Sequence, residues 1–151
     1  MAESQRPDVL SLVVYSGEYD KVHYALVLAS SALALGSRAT LFFTMDGCRA
    51  LLKPDASGAP AWRTLSLSQP TAKNYTDGGA MDDDFKRQRL ADFEDLLAAC
   101  VELGARVIVC ELGLKARGLA SADLRADLPI EIAGVATLLE DSSKSGAMLF
   151  I

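Results

Sequence analysis

The chain has 151 residues, half of them apolar, and a formal net charge of −5 at pH 7. This size and composition suit a single globular domain spanning 1–151, and an acidic chain is a poor partner for nucleic acid because phosphate binding requires a basic surface. No apolar run is long enough to cross a bilayer, and the polar first residues lack the apolar segment of a signal peptide. We therefore expect a cytoplasmic protein without nucleic-acid or membrane partners.

Strand and helix patterns alternate along the chain. Short apolar runs rich in branched residues predict buried strands, and apolar residues three or four positions apart predict helices. In chain order the prediction is a strand at 9–15, a helix from about 19 to 35, a strand at 39–44, a short helix ending at 52, a long helix from about 84 to 103, a strand at 106–110, a short helix closed by Gly118, a helical turn at 121–127, a short strand at 130–132, a helix at about 135–143 and a last strand at 147–151. This alternation predicts an α/β fold with a mainly parallel sheet of four to five strands.

The segment from about 54 to 83 interrupts this alternation with three prolines and three glycines. It is predicted to be an irregular loop insertion, and loops of such length are usually lids, binding loops or interface segments. Trp62, Leu65 and Leu67 lack an obvious place in a monomer core, so we expect them to pack against a neighbouring subunit or over the site. Asp82–Asp84 are expected at the positive start of the following helix.

Cysteine and histidine are few and scattered. The three cysteines, at positions 48, 100 and 110, and the single histidine, His23, include no Cys-x-x-Cys pair. An odd number of cysteines in a chain of this length argues against a disulfide framework, and scattered ligands argue against a metal site. The glycine spacing of a dinucleotide site is also absent, so we expect neither metal nor cofactor.

The carboxyl ends of the first three strands are expected at one edge of the sheet, where ligands bind in parallel α/β folds. Gly17 and Asp46 follow the first two strands and are candidate substrate-binding residues at this rim. Cys110 ends the third strand and precedes a short helix, whose first amide groups favour thiolate over thiol. Cys110 is therefore a candidate sulfur nucleophile, a role that requires an attackable, partly exposed thiol. The alternative is a buried cysteine that acts as a small apolar residue.

Three further residues allow two interpretations each, and a fourth, Cys100, allows one. Arg117 either binds a negatively charged sulfur species or oxyanion at the rim, or caps its own helix. Cys48 is a secondary candidate, as a resolving thiol or sulfur acceptor, or packs inward from its short helix. His23 is a second such candidate, as a proton donor near the rim, or is a surface or interface residue. Cys100 falls on an apolar helix face and is expected in the core.

Taken together, these features resemble the DsrE/DsrF-like family of small sulfur-relay proteins over most of the chain. The matching pieces are Tyr15-Ser16-Gly17 after the first strand, the alanine-rich helix that follows, Ala39–Thr44 with Asp46-Gly47, Val109-Cys110 with Ala116-Arg117-Gly118-Leu119, and Ile132-Ala133-Gly134-Val135 before the last strand. The resemblance implies a three-layer α/β/α fold assembled as trimers or hexamers. It also implies that Cys110 carries sulfur as a persulfide between donor and acceptor proteins.

The chain departs from some members of that family, which have a second cysteine shortly after the first. Gly113 stands in this region instead, without a cysteine nearby, which argues against a local dithiol switch. Two functions remain open. The first is a sulfur carrier or sulfurtransferase-like protein that uses Cys110. The second is a non-catalytic oligomeric member whose rim binds a small ligand or partner peptide, which the acidic Glu111 beside the thiol would favour.

Overall fold

The structure is a computed structural model, and it describes residues 5–71 and 73–151. Within these residues five strands form one sheet in the order β4-β3-β2-β1-β5. The strands are β1 (Val9–Val14), β2 (Arg38–Phe43), β3 (Arg106–Cys110), β4 (Ile130–Ala133) and β5 (Ala147–Phe150). Every neighbouring pair is parallel, which confirms the predicted α/β fold with its parallel sheet.

The helices follow the strands in chain order. They are α1 (Tyr19–Ala34), α2 (Gly78–Arg87), α3 (Phe93–Glu102), α4 (Glu111–Ala116) and α5 (Val135–Asp141), with short 3₁₀ helices at Met45–Leu51, Ala61–Thr64 and Ser121–Asp123. The segment predicted to be irregular therefore contains one 3₁₀ helix and the first turns of α2.

The sheet lies between two unequal helical layers. Successive residues of a strand point to opposite faces. Leu41 and Phe43 of β2 join the main core with α1 and α3. Phe42 points the other way and packs with Ile108 of β3 and Leu138 of α5. The second layer is one seven-residue helix, so apolar side chains on that face stay exposed.

The direction of the crossovers explains why α5 lies alone. From β1 to β4 the chain advances across the sheet one strand at a time, and right-handed connections put the intervening helices on one face. From β4 the chain returns across the whole sheet to β5, beside β1. A right-handed connection in this reverse direction places α5 on the opposite face.

The single helix predicted from about 84 to 103 is wrong, because the structure has two helices there. Asp77 caps α2 and Asp92 caps α3, each by accepting a hydrogen bond from a backbone N–H of its first turn. Arg89 lies between them at φ +59, in the left-handed region, and so ends the helical hydrogen-bonding pattern. Neither glycine nor proline marks this break, and Asp92 as an N-cap residue is its only sequence signal.

Asp82–Asp84 lie inside α2, not at its start, because the helix begins at Gly78. Asp82 is fully buried. Its Oδ1 accepts hydrogen bonds from the Tyr19 hydroxyl at 2.5 Å and from the Phe93 backbone N–H at 2.8 Å. The Oδ2 atom is buried without a hydrogen-bond partner. This carboxylate therefore joins α1, α2 and the start of α3.

Trp62 is only 2% exposed, so the expectation that it packs on a neighbouring subunit or over the site is wrong. Its ring stacks on Phe93 at a centroid distance of 4.6 Å and lies 5.6 Å from the ring of Tyr19. Leu65 is buried in the same core, and Leu67 packs against it. The 3₁₀ helix that carries Trp62 thus extends the core of its own chain.

Candidate functional site

The carboxyl ends of β1 and β2 meet at one edge of the sheet, as the sequence predicts. The Thr44 N–H donates to the carbonyl of Val14 at 3.0 Å, and the Gly47 N–H donates to the carbonyl of Tyr15 at 3.2 Å. Gly17 lies against Asp46 so closely that a β-carbon at Gly17 would come 2.8 Å from the Asp46 Cβ and carbonyl oxygen. Glycine is therefore required at position 17 for the two loops to touch.

Asp46 connects this rim to the helix that follows β3. Its Oδ1 lies 2.8 Å from Nε of Arg117, the C-terminal capping residue of α4, and 3.3 Å from Nε of Arg49. The structure therefore brings Gly17, Asp46 and Arg117 together. The guanidinium of Arg117 forms an ion pair with Asp46. That these three residues bind a substrate remains a prediction.

Cys110 is the last residue of β3 and the residue before α4, as the sequence predicts. Its side chain points away from the main core and packs with Phe42, Ile108 and Leu138. The residue is only 2% exposed, so the expectation of a partly exposed thiol is wrong. The alternation of side chains along β3 explains this burial. Cys110 lies two residues after Ile108 and so points to the same face of the sheet, which α5 covers.

A cleft of about 1080 Å³ nevertheless opens over Cys110 between α4, α5 and β5. The walls are mainly apolar, and they include side chains that are otherwise exposed on this thinly covered face. The exposed ones include Leu112, Leu139, Met148 and Phe150, whereas Phe42 is buried. Glu111 and Lys115 also line the cleft, and their side chains pair with each other at 3.1 Å. Cys110 thus lies at the bottom of an apolar cleft of the size that ligand sites have.

Gly17 and Asp46 line a different cleft, of about 740 Å³, on the same edge of the sheet. This second cleft has more polar groups in its lining than the cleft over Cys110. Its two cationic side chains, Lys21 and Arg49, are paired with Glu18 and Asp46. Neither Cys110 nor Arg117 is among its lining residues. The rim predicted as one site is therefore divided, because the Cys110 side chain lies on the α5 face of the sheet.

Cys48 is completely buried, and its Sγ donates to the carbonyl of Phe43 at 3.8 Å. Burial, with a smaller contribution from the neighbouring Cys110, raises the pKa of the Cys48 thiol to about 11. Cys100 is also fully buried, which confirms its place in the core, and burial raises the pKa of its thiol to about 11 as well. Both groups therefore stay protonated at neutral pH.

His23 lines neither the cleft that holds Cys110 nor the cleft of Gly17 and Asp46, so the structure does not support its interpretation as a proton donor near the rim. Its Nε2 lies 2.9 Å from the carbonyl oxygen of Ala91, to which the ring N–H donates. The imidazole also packs on Phe85 at a centroid distance of 4.9 Å. These contacts hold the connection between α2 and α3 against α1, which is a structural role. His23 lines a third cleft, of about 650 Å³, with Tyr24 and Leu149.

The close packing of α4 on the chain after β2 was not predicted from the sequence. A β-carbon at Gly113 would come 2.5 Å from both the Met45 backbone nitrogen and the Thr44 Oγ1. Met45 itself has φ +50, a left-handed conformation that is rare for a residue with a side chain. Glycine inside a short helix directly after Cys110 was the available signal for this contact.

Residues 5–71 and 73–151 contain neither a cluster of metal ligands nor a membrane-spanning helix. No group of three or more histidine, cysteine, aspartate or glutamate side chains there is placed to hold a metal ion. No helix in the same residues has the length and apolarity to cross a membrane.

Comparison with known proteins confirms the resemblance. Residues 7–150 match the model of the DsrE/DsrF/DrsH-like family, so the chain belongs to this family. It is similar to the uncharacterized protein YrkE of Bacillus subtilis, with 26% identity over 154 aligned positions that cover 93% of this chain and 95% of that protein. It is also similar to the sulfur carrier protein DsrE2 of Allochromatium vinosum, with 26% identity over 157 aligned positions that cover 94% of this chain and 97% of that protein.

Among solved structures, the chain is similar to a protein of unknown function, MTH1491, from Methanobacterium thermoautotrophicum. The TM-score is 0.48 at 15% sequence identity, over 95% of this chain and 96% of that one.

Proposed function

We propose that this protein is a sulfur carrier that holds sulfane sulfur as a persulfide on Cys110 and passes it to a partner thiol. The position of Cys110 supports this most directly, because the residue ends a parallel strand and lies at the bottom of an open cleft. Membership of the DsrE/DsrF/DrsH-like family and the similarity to a protein named as a sulfur carrier support it further.

The transfer is a displacement at sulfur. The Cys110 thiolate attacks the outer sulfur of a donor persulfide, R–S–SH, and the donor S–S bond breaks as the new one forms. The electron pair of the broken bond leaves on the donor as R–S⁻, and Cys110 becomes Cys–S–SH. An acceptor thiolate repeats the same step on the Cys110 persulfide. No external oxidant or reductant is needed, because one thiolate and one persulfide are consumed and produced each time.

The other cysteines favour a single-thiol carrier over a dithiol switch. Only the thiolate attacks sulfur, and a thiol with a pKa of about 11 supplies very little of it at neutral pH. Cys48 therefore does not resolve the persulfide as a disulfide, and Cys100 is enclosed in the core under α1. The persulfide on Cys110 is expected to persist until a partner thiol enters the cleft.

The test is mass spectrometry of the protein after incubation with a persulfide donor. We expect a gain of one sulfur atom, localised by peptide mapping to Cys110 and removed by a reducing thiol. The Cys110→Ser variant should gain none, whereas Cys48→Ser, as the matched control, should gain one sulfur as the unmodified chain does. Equal sulfur uptake by Cys110→Ser would refute the proposal.

A second candidate function is non-catalytic binding of a small ligand at the cleft of Gly17 and Asp46. The observation that favours it is that this cleft is rich in polar and charged groups, with Lys21 paired to Glu18 and Arg49 paired to Asp46, and is separate from Cys110. Thermal stabilisation of Cys110→Ser by a small anionic ligand, together with slow alkylation of Cys110 in the unmodified chain, would support this function over sulfur transfer.

Self-association into a trimer or hexamer is also part of the proposal. It is supported by β5, an edge strand whose four residues are all exposed and which carries no charge or proline to discourage pairing. Light scattering that shows only a monomer at micromolar concentration would contradict it. The cytoplasmic location and the division of 1–151 into one domain with an insertion at about 54–83 remain predictions.

A further inference from the structure

The cleft over Cys110 has a chemical character that selects what enters it. We propose that Cys110 exchanges sulfur with a cysteine set in an apolar segment of a partner protein, and that free anionic persulfides and polysulfides are poor donors. This inference rests on the proposed function, and it specifies the class of substrate for the same thiol.

The Cys110 thiol is accessible from one side only. Cys110 is almost completely enclosed, and the side that opens is the cleft between α4, α5 and β5. A sulfur atom that reacts with it must come into contact with Sγ along the S–S axis. The groups attached to the donor sulfur are therefore brought into the cleft and lose their hydration there.

The walls of the cleft are suited to apolar groups. Leu112 of α4 and Phe150 of β5 are each 70% exposed, and Leu139, Val135 and Met148 add further accessible apolar surface. A contiguous exposed patch of this kind marks an interaction site. Aromatic residues and methionine are enriched in protein interfaces, where methionine adapts to the shape of its partner.

The charges around the cleft are arranged unfavourably for an anion. The lining contains one acidic and one basic residue, Glu111 and Lys115, and these neutralise each other in an ion pair. Arg117, the nearest cation expected from the sequence to meet a sulfur anion, is instead held by Asp46 and does not line the cleft. Glutathione persulfide or inorganic polysulfide would thus lose water around its charges and meet only a cation that Glu111 already pairs with. An apolar segment has no such cost.

The experiment compares two donors at equal concentration. One is glutathione persulfide, and the other is the persulfide of the neutral apolar peptide acetyl-Leu-Cys-Leu amide. Loading of Cys110 is followed over time by mass spectrometry of the full chain. We expect the apolar donor to load Cys110 at least about tenfold faster, the order of discrimination that an apolar pocket gives.

Charged substitutions in the cleft provide the structural test. Leu112→Lys and Leu139→Lys place a cation on exposed positions of the walls, where folding should be unaffected. Leu35→Lys is the control at a similarly exposed position, the C-terminal capping residue of α1. We expect the two wall variants to slow loading by the apolar donor about tenfold and to speed loading by glutathione persulfide. The control should leave both rates unchanged.

The outcomes separate this inference from the function on which it rests. Equal rates for the two donors, or wall variants that behave as Leu35→Lys does, would overturn the apolar selection while leaving the sulfur carrier intact. A change of oligomeric state in Leu112→Lys, with no effect on donor preference, would assign the cleft to a second copy of the chain and also overturn it. If neither donor loads Cys110, the proposed function itself fails.

Discussion

Arg117 Nε lies 2.8 Å from Asp46 Oδ1, and this ion pair ties the end of α4 to the chain that follows β2. Cys110 immediately precedes α4, so the pair fastens the helix that forms one wall of the sulfur cleft. Both side chains are partly exposed, and exposed ion pairs contribute at most about 1 kcal/mol to stability. The consequence of breaking the pair should therefore be local to α4.

Replacement of Arg117 by methionine tests this local role. We expect a loss of less than about 1 kcal/mol in the free energy of unfolding, and up to about a fivefold increase in the rate at which a small reagent alkylates Cys110, because α4 opens more often. Arg49→Met is the matched control, since Arg49 contacts the same Asp46 oxygen at 3.3 Å but is not part of α4. An alkylation rate in Arg117→Met equal to that in Arg49→Met would contradict the prediction.

The contact at Gly113 should be the least tolerant position near the thiol. In Gly113→Ala the new β-carbon meets backbone at Met45, which cannot move aside as a flexible side chain could. We expect a destabilisation of about 1–3 kcal/mol from this overpacking, measured by urea unfolding, and altered alkylation of Cys110 as α4 is displaced. Gly134→Ala is the control because a β-carbon there meets nothing within 4 Å, and its cost should stay within about 1 kcal/mol. Similar costs for the two variants would show that α4 adapts.

Asp82 should contribute strongly to stability although it lies outside both clefts. Asp82→Ala removes the acceptor for the Tyr19 hydroxyl and the Phe93 N–H, and leaving buried donors unpaired costs about 1–3 kcal/mol each. Asp82→Asn keeps an acceptor oxygen for both donors, so it should retain most of the stability. Urea unfolding of the two variants measures the difference, and an asparagine variant as unstable as the alanine variant would disprove this explanation.

Alkaline pH should destabilise the fold through the buried thiols. The pKa values of Cys48 and Cys100 are raised from 9.0 to about 11 in the folded chain, mainly by burial. The unfolded state therefore releases these protons first as pH rises, so the stabilisation is complete below about pH 9 and is lost towards about pH 11, by roughly 2 kcal/mol per thiol. The Tyr19 pKa is raised in the same direction by burial and by its hydrogen bond to Asp82, which adds to the loss at higher pH.

Urea unfolding at several alkaline pH values measures this dependence. Cys100→Ala is the informative variant, since it removes one of the two thiols and should flatten the alkaline decline. The result that would count against the explanation is an unchanged decline in that variant. Below about pH 8, both buried thiols should also react with alkylating reagents only as fast as the chain unfolds.

Much of the fold was predictable because its strands are short apolar runs separated by amphipathic helices. The strand ending at Cys110 and its short following helix were placed correctly for this reason. The long helix predicted across residues 88–92 was not, because the apolar spacing continues through a break that Arg89 and Asp92 create. The burial of Trp62 was also missed, since a proline-rich segment gives no periodic signal of the core that it covers.

The candidate site was predictable in its residues and less so in its arrangement. The proximity of Gly17 and Asp46 follows from the shared edge of parallel strands. The division into two clefts does not follow, because every residue from Val107 to Cys110 is apolar and the sequence of β3 gives no indication of which face is thinly covered. A rim position was one of two interpretations of His23 because its distance from β1 along the chain is short, whereas its contacts with Ala91 and Phe85 hold it towards α2.

By itself, the sequence determined the parallel α/β architecture, the family and the position of one cysteine at the end of a central strand. These depend on hydrophobic periodicity and on the order of elements, which are local properties of the chain. Only the tertiary structure decided that this thiol is enclosed, that the cleft over it is apolar and that Arg49 and Arg117 are paired with Asp46. Those features arise where α5 crosses back over the sheet and covers it incompletely, a result of long-range packing that no local pattern encodes.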